Sequence, residues 1–291
     1  MQKRKRRYEK NSVILCALIF FVITATAFCM VVDGREAARK RRKYAEVQKA
    51  EQMQKEAEEK QQKERAEQMS VRPGVPIGTL EPDANEKVVY LTFDDGPSEN
   101  TEKVLDVLKQ YDVKATFFIT GSGEEYRPMI RRAYEEGHTI GLHTYSHKYE
   151  EVYASEDAYF ADLEKVGKIA EEQIGFVPCF IRFPGGASNT VSAKYKQGIM
   201  TQLTGKVQEK GYQYYDWNVD SGDGAGYKKD QIVSASKTDR YQHIMLLLHD
   251  GRSKEETVKA LPEIIEYYKN QGYEFRPVDR QSFVSHHATL N

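Results

Sequence analysis

The stretch VVYLTFDDGPS, residues 88–98, begins as an apolar strand and stops on two adjacent carboxylates, Asp94 and Asp95. Side chains along a strand alternate faces, so neighbours in mid-strand do not share a site. At a strand end the chain is already turning, and Gly96-Pro97 is turn chemistry, so both carboxylates can lean over one rim. Paired aspartates before Gly-Pro also serve as turn formers or helix caps. The pair therefore reads as chemistry only if the rest of the chain supplies partners.

Further apolar strand-like runs lie at 114–120, 138–143, 179–183, 212–217, 243–249 and 273–278. Amphipathic helix patterns separate them. TEKVLDVLKQY puts Val104, Leu105, Leu108 and Tyr111 on one face, and ADLEKVGKIAEEQIG does the same with Leu163, Val166, Ile169, Ala170 and Ile174. TVKALPEIIEYYKNQG ends on Gly272, a helix C-terminal signal. Uninterrupted apolar strands alternating with helices predict an α/β fold with a parallel sheet covered by helices. Seven or so such units predict a closed, distorted barrel.

The polar residues fall at the ends of these runs. Asp94 and Asp95 end the first, His143 the third, Asp216 and Trp217 the fifth, and His249 and Asp250 the sixth, with Arg182 near the end of the fourth. In a parallel α/β barrel the C-terminal strand ends share one rim, where active sites are built. His143 and His147 are four apart in HTYSH; a helical turn there would put both imidazoles on one face. A lone His-x3-His is a weak signal. Two imidazoles and a carboxylate, however, form a three-ligand set with positions open for water, the pattern of catalytic zinc. One aspartate can then be a ligand while the other takes a proton from acidified water. His138, His243, His286 and His287 read as strand starts and a polar tail.

Net charge is −1 and no basic stripe runs through the body of the chain, so nothing points to nucleic acid. Cys16, Cys29 and Cys179 predict no disulfide within the folded part. Residues 1–12 are basic, and residues 13–32 run for twenty positions without a charge, long enough to span a membrane as a helix. The alternatives are a cleaved signal peptide, with ATA at 25–27, or acylation at Cys29, which bulky Phe28 disfavours. A retained anchor with the catalytic mass outside the cytoplasm is the expectation. Residues 33–70 are nearly all strong helix formers with few apolar positions, which predicts a solvated helical spacer or a self-associating coiled coil. A Pro/Gly linker is expected at 71–85, a catalytic domain at 86–280 and a polar tail at 281–291.

TFDDGP (92–97), HTYSH (143–147), RFPGG (182–186), DWNVD (216–220) and LLLHD (246–250) resemble the five ordered motifs of polysaccharide deacetylases. These are the NodB-homology proteins of carbohydrate esterase family 4, and the resemblance covers roughly 86–278. It implies a distorted (β/α)7 barrel and a divalent metal, often zinc, that serves removal of acetyl groups from glycans. It implies Asp94 as general base, Asp95, His143 and His147 as metal ligands, and Arg182 as the partner that orients the base. It further implies His249 as general acid, with Asp216 holding that imidazole, and Trp217 and Leu247 as walls for the acetyl methyl. At Gly185 many members carry an aromatic residue; the backbone N–H there helps hold the oxyanion, and glycine still supplies it. Asp220, Asp223 and ASNT (187–190) are given only a place along the groove. The expected substrate is an N-acetylated cell-wall glycan such as peptidoglycan, with xylan, chitin-like oligomers and poly-N-acetylglucosamine as alternatives. A non-catalytic glycan-binding scaffold is the reading of another class, and a small-molecule amidase would need a closed pocket.

Overall fold

The computed structural model describes the backbone of residues 2–291 and the side chains of residues 20–26, 35 and 38–291. The chain divides into two compact units, residues 1–64 and 65–291. Helix α1 is Gln2–Met69, and its last residues belong to the second unit. In the first unit every side chain from 38 to 64 is exposed, Val47 and Met53 included, as its Glu, Lys and Gln content predicts. Ion pairs such as Lys55–Glu59 and Lys60–Glu64, each at 3.8 Å, are exposed and contribute little. No helix among the described residues is long and apolar enough to cross a membrane. Most side chains of the expected 13–32 span lie outside the described residues.

The second unit is built on a parallel sheet of strands β1 (Val88–Asp94), β2 (Thr116–Thr120), β3 (Thr139–Thr144), β4 (Phe180–Ile181), β5 (Gln213–Tyr214), β6 (Val219–Asp220), β7 (His243–His249) and β8 (Glu274–Phe275). Their order is β5-β4-β3-β2-β1-β7-β6, and β8 pairs β1 beside β2. No pairing joins β5 to β6, so the expected closed barrel is open at that seam. Strand β6 is the element that the alternation pattern does not predict; two residues are too few to show a period.

Helices α2 (Glu99–Gln110), α3 (Pro128–Glu135), α5 (Glu156–Ile174), α6 (Ile199–Glu209), α7 (Lys229–Ser236) and α8 (Glu255–Asn270), with the single turn α4 (Tyr149–Val152), provide the connections. The strands separate two apolar layers by strict alternation. Val89, Leu91, Phe93, Ile140, Leu142, Ile244, Leu246 and Leu248 face the helices and meet Leu105, Leu108, Leu163 and Ile264 there. Val88, Tyr90, Phe118, Phe180, Tyr215 and Met245 fill the interior. Asp94 continues the interior face of β1, Arg182 that of β4, and Leu247 and His249 that of β7. The polar site is thus the open end of the same layer that is apolar lower down. Gly141 belongs to this face because the Phe118 ring occupies the place of its side chain, 2.5 Å from where a Cβ would stand.

The end of the expected spacer, together with the stretches expected as linker and tail, packs onto this unit. Arg65 donates to the carbonyls of Tyr134 and His138 at 2.7 Å each, and Met69 and Ile77 are buried. Thr79 bridges Phe283, and Val284 and Ser285 are buried. Irregular segments carry no period, so their buried positions leave no pattern in the sequence.

Candidate active site

Strand β1 stops because Asp95 turns into the left-handed region, with φ +73, ahead of Gly96-Pro97. That turn lets both carboxylates face the rim. It is braced from behind by Asp250, whose Oδ2 accepts from the Thr101 hydroxyl at 2.6 Å and whose carbonyl accepts from Ser98 Oγ at 2.6 Å. Ser98 also caps α2, so the helix start and the site are fixed by one residue. Burial, opposed by the Thr101 hydrogen bond and reinforced by the charges of Asp95 and Asp94, pushes Asp250 up to about 7.

His143 is buried one residue before the end of β3. Its Nδ1 lies 2.7 Å from the Arg182 carbonyl, which can only accept, so the ring proton sits on Nδ1 and the Nε2 lone pair is free. That lone pair faces Asp95 Oδ1 at 3.7 Å, and His147 Nε2 lies 3.3 Å from the same oxygen. Asp95 Oδ1 is buried with no hydrogen-bond partner. One oxygen and two nitrogen donor atoms therefore lie within 4.8 Å of one another, a donor set that fits a divalent cation. Burial works against the Asp95 charge, but His143, His147, His249 and Lys254 together more than offset it and hold this carboxyl below its usual range. The expected helical turn between the two histidines is absent. His147 instead swings in from a loop at φ +53, and Asp162 of α5 holds that loop by accepting from the N–H groups of Tyr145 (2.6 Å) and Ser146 (3.1 Å).

Asp94 stands beside this triad. Arg182 Nη1 donates to its Oδ1 at 2.9 Å and to Thr92 Oγ1 at 2.7 Å, while Nε donates to the Tyr215 carbonyl at 2.7 Å. Both members of the pair are buried, and the guanidinium also lies over the Phe118 ring at 4.4 Å. Asp94 and His249 are direct register partners on neighbouring strands, at one level of the rim. His249 Nδ1 lies 2.7 Å from Asp223 Oδ1, and Asp223 Oδ2 accepts from the His249 N–H at 2.7 Å and from Thr257 Oγ1 at 2.8 Å. Burial disfavours the imidazolium, but the Asp223 hydrogen bond and charge, with Asp94 and Asp95 behind them, push His249 up to about 9. Asp94, Asp95, His143, His147, Gly185, Trp217, Leu247 and His249 line one half-open cleft of about 360 Å³.

Residues 81–201 match the polysaccharide deacetylase family. A peptidoglycan-N-acetylglucosamine deacetylase of Bacillus cereus is 34% identical over 202 residues, 68% of this chain and 89% of that one. The chain belongs to the polysaccharide deacetylase family. A second Bacillus cereus peptidoglycan-N-acetylglucosamine deacetylase is 32% identical, with 67% of this chain and 71% of that one aligned. The chain spans 66% of the length of two further relatives. Among solved structures, the catalytic domain of the peptidoglycan N-acetylglucosamine deacetylase from Eubacterium rectale superposes with a TM-score of 0.70 at 43% identity, covering 73% of this chain and 98% of that one.

In this member of the family the geometry departs from one motif assignment. Asp216 does not hold the His249 imidazole. Its carboxylate accepts from the N–H groups of Ala187 and His287, each at 2.8 Å, and so ties the arginine-motif loop to the C-terminal segment. Asp223 is the carboxylate on His249. Asp223 follows β6 in a short turn, and its only sequence signal is the acid-glycine run DSGDG. His287, expected in a polar tail, lies against Ser188 Oγ at 3.1 Å and the Trp217 carbonyl at 2.6 Å.

Proposed function

We propose that this glycan deacetylase removes N-acetyl groups from a cell-wall-type glycan, with peptidoglycan N-acetylglucosamine as its substrate and zinc as its metal. The observation that carries this reading is the meeting, in one cleft, of the Asp95–His143–His147 donor set with an arginine-held Asp94 and an Asp223-held His249. The names of several similar proteins, peptidoglycan N-acetylglucosamine deacetylases, support the choice of polymer. The cleft is half-open, which suits a chain better than a small enclosed amide.

A divalent cation held by Asp95, His143 and His147 would supply Lewis acidity toward the acetyl carbonyl and lower the pKa of water there toward about 7. Asp94, fixed by Arg182 and off the donor set, takes a proton from the attacking water. Gly185 lines the cleft, and its N–H is the donor assigned to the oxygen that gains charge. His249 is held in its protonated form by Asp223, and it gives that proton to the amide nitrogen as the carbon–nitrogen bond breaks. Acetate and a free amine leave. Trp217 and Leu247 wall the part of the cleft that would take the methyl group.

The twenty uncharged residues 13–32, flanked by basic residues, support attachment to a membrane with the catalytic unit outside the cytoplasm. The substrate assignment is tested on a panel of acetylated polymers. Peptidoglycan is expected to give the fastest acetate release; preference for acetylated xylan, an ester, would contradict it.

A further inference from the structure

Tyr149 stands beside the reacting groups without a part in the steps above. It opens α4, and its ring lies edge-on to His147 at 6.2 Å and to Tyr153 at 5.4 Å between centroids. Tyr153 is buried and donates its hydroxyl to the Pro184 carbonyl at 2.7 Å. That bond fastens the turn carrying Tyr149 to the loop carrying Gly185. Gly185 has φ +74, and a Cβ built there would stand 2.5 Å from the Tyr149 hydroxyl oxygen. A side chain at 185 and the Tyr149 hydroxyl therefore exclude each other. Where many relatives are expected to place a ring from the arginine-motif loop, this chain brings one in from the histidine-motif loop.

The consequence is chemical as well as steric. Tyr149 and Gly185 both line the cleft with Asp94, Asp95, His147 and His249. Neither the Tyr149 hydroxyl nor the Gly185 N–H bonds to any described group. Two donors without a described partner thus belong to neighbouring residues of the cleft wall. An exposed N–H and a half-buried hydroxyl side by side in the cleft suit a ligand oxygen that accepts from both.

We propose that Tyr149 is a catalytic residue of this enzyme: its hydroxyl donates, alongside the Gly185 N–H, to the substrate carbonyl oxygen as that oxygen gains charge. The assignment rests on the deacetylase reading above. No proton is transferred by Tyr149; the hydroxyl gives a hydrogen bond that strengthens as the carbonyl carbon is attacked and relaxes when acetate leaves.

The test uses the full chain loaded with metal and follows acetate release over a range of glycan concentrations. Tyr149→Phe is expected to lower kcat by ~10²-fold with KM within ~2-fold of wild type, while metal content and Tm stay unchanged. An unchanged kcat, or a loss confined to KM, would overturn the assignment. A second variant checks the shared space. Gly185→Ala is expected to cost more with Tyr149 present than in the Tyr149→Phe background, because the methyl collides with the hydroxyl. Additive losses would overturn the steric half of the argument. Wild-type protein that releases no acetate from any acetylated glycan would remove the deacetylase reading and this one together. Wild-type release with an unimpaired Tyr149→Phe removes this one alone.

Discussion

Asp223→Asn is the substitution that separates the observed site from the one the motifs suggest. The asparagine oxygen can still accept from His249 Nδ1–H, so the ring keeps its orientation, but the negative charge is lost. The amide also sets donor against donor at either the His249 N–H or its Nδ1–H, since Asp223 accepts from both. Burial alone disfavours the imidazolium, and Asp223 supplies the largest opposing effect. Without it the imidazole falls from about 9 back toward its ordinary 6.5. A fall of that size corresponds to roughly 3 kcal/mol of lost preference for the protonated ring. A general acid must carry its proton at the working pH, so the alkaline limb of kcat moves down by about two pH units and activity at pH 8 drops by ~30-fold. Asp216→Asn, whose carboxylate touches only backbone N–H groups, leaves that limb in place. The assay is kcat against pH for both variants, with histidine ring signals followed by NMR. An unmoved limb in Asp223→Asn, or a shift in Asp216→Asn instead, would refute the reasoning.

Asp94→Asn is expected to cut turnover by ~10³-fold while metal stays bound, measured by acetate release and elemental analysis side by side. Conversely, His147→Ala should lose metal on dialysis, because it removes one of three donors that lie within 4.8 Å of one another. Arg182→Met leaves the Asp94 carboxylate buried without its partner and should destabilise by about 3 kcal/mol in urea unfolding. Acid stability turns on His138, where burial, with Lys114 and Arg65 adding to it, holds the imidazole down at about 3. A pKa depressed in the folded state means the unfolded chain takes up the proton first. Stability is therefore full above pH 6.5 and is lost as pH falls toward 3, by up to about 5 kcal/mol. His138→Asn keeps an acceptor for the Ala115 N–H, lowers stability at neutral pH, and should flatten that acid slope; an unchanged slope would exclude His138 as its source.

Much of this architecture is written in period-two alternation. It separates Leu246 and Leu248 on the helix side from Leu247 and His249 on the site side, and it places Asp94 on the interior face of β1. The strand ends then gather residues distant in sequence, because a parallel sheet delivers them to one rim. What escaped the sequence lies where no period exists. Strand β6 has two residues, and Asp223 follows it in a turn, so nothing local links that carboxylate to a histidine 26 residues on. The His147 approach depends on a left-handed backbone at a non-glycine residue, which surrounding contacts such as Asp162 impose. Tyr149 filling the space at Gly185 is a relation between two loops, visible only once both are placed.

The proposed reaction is a metal-dependent hydrolysis of glycan acetamides in the cleft between Asp94 and His249. Its most direct measurement is acetate release from N-acetylated peptidoglycan by the full chain, assayed with zinc, after chelation, and after zinc is restored. Release with zinc, loss on chelation and recovery on restoration are expected. Release that survives complete removal of metal, confirmed by elemental analysis, would contradict it.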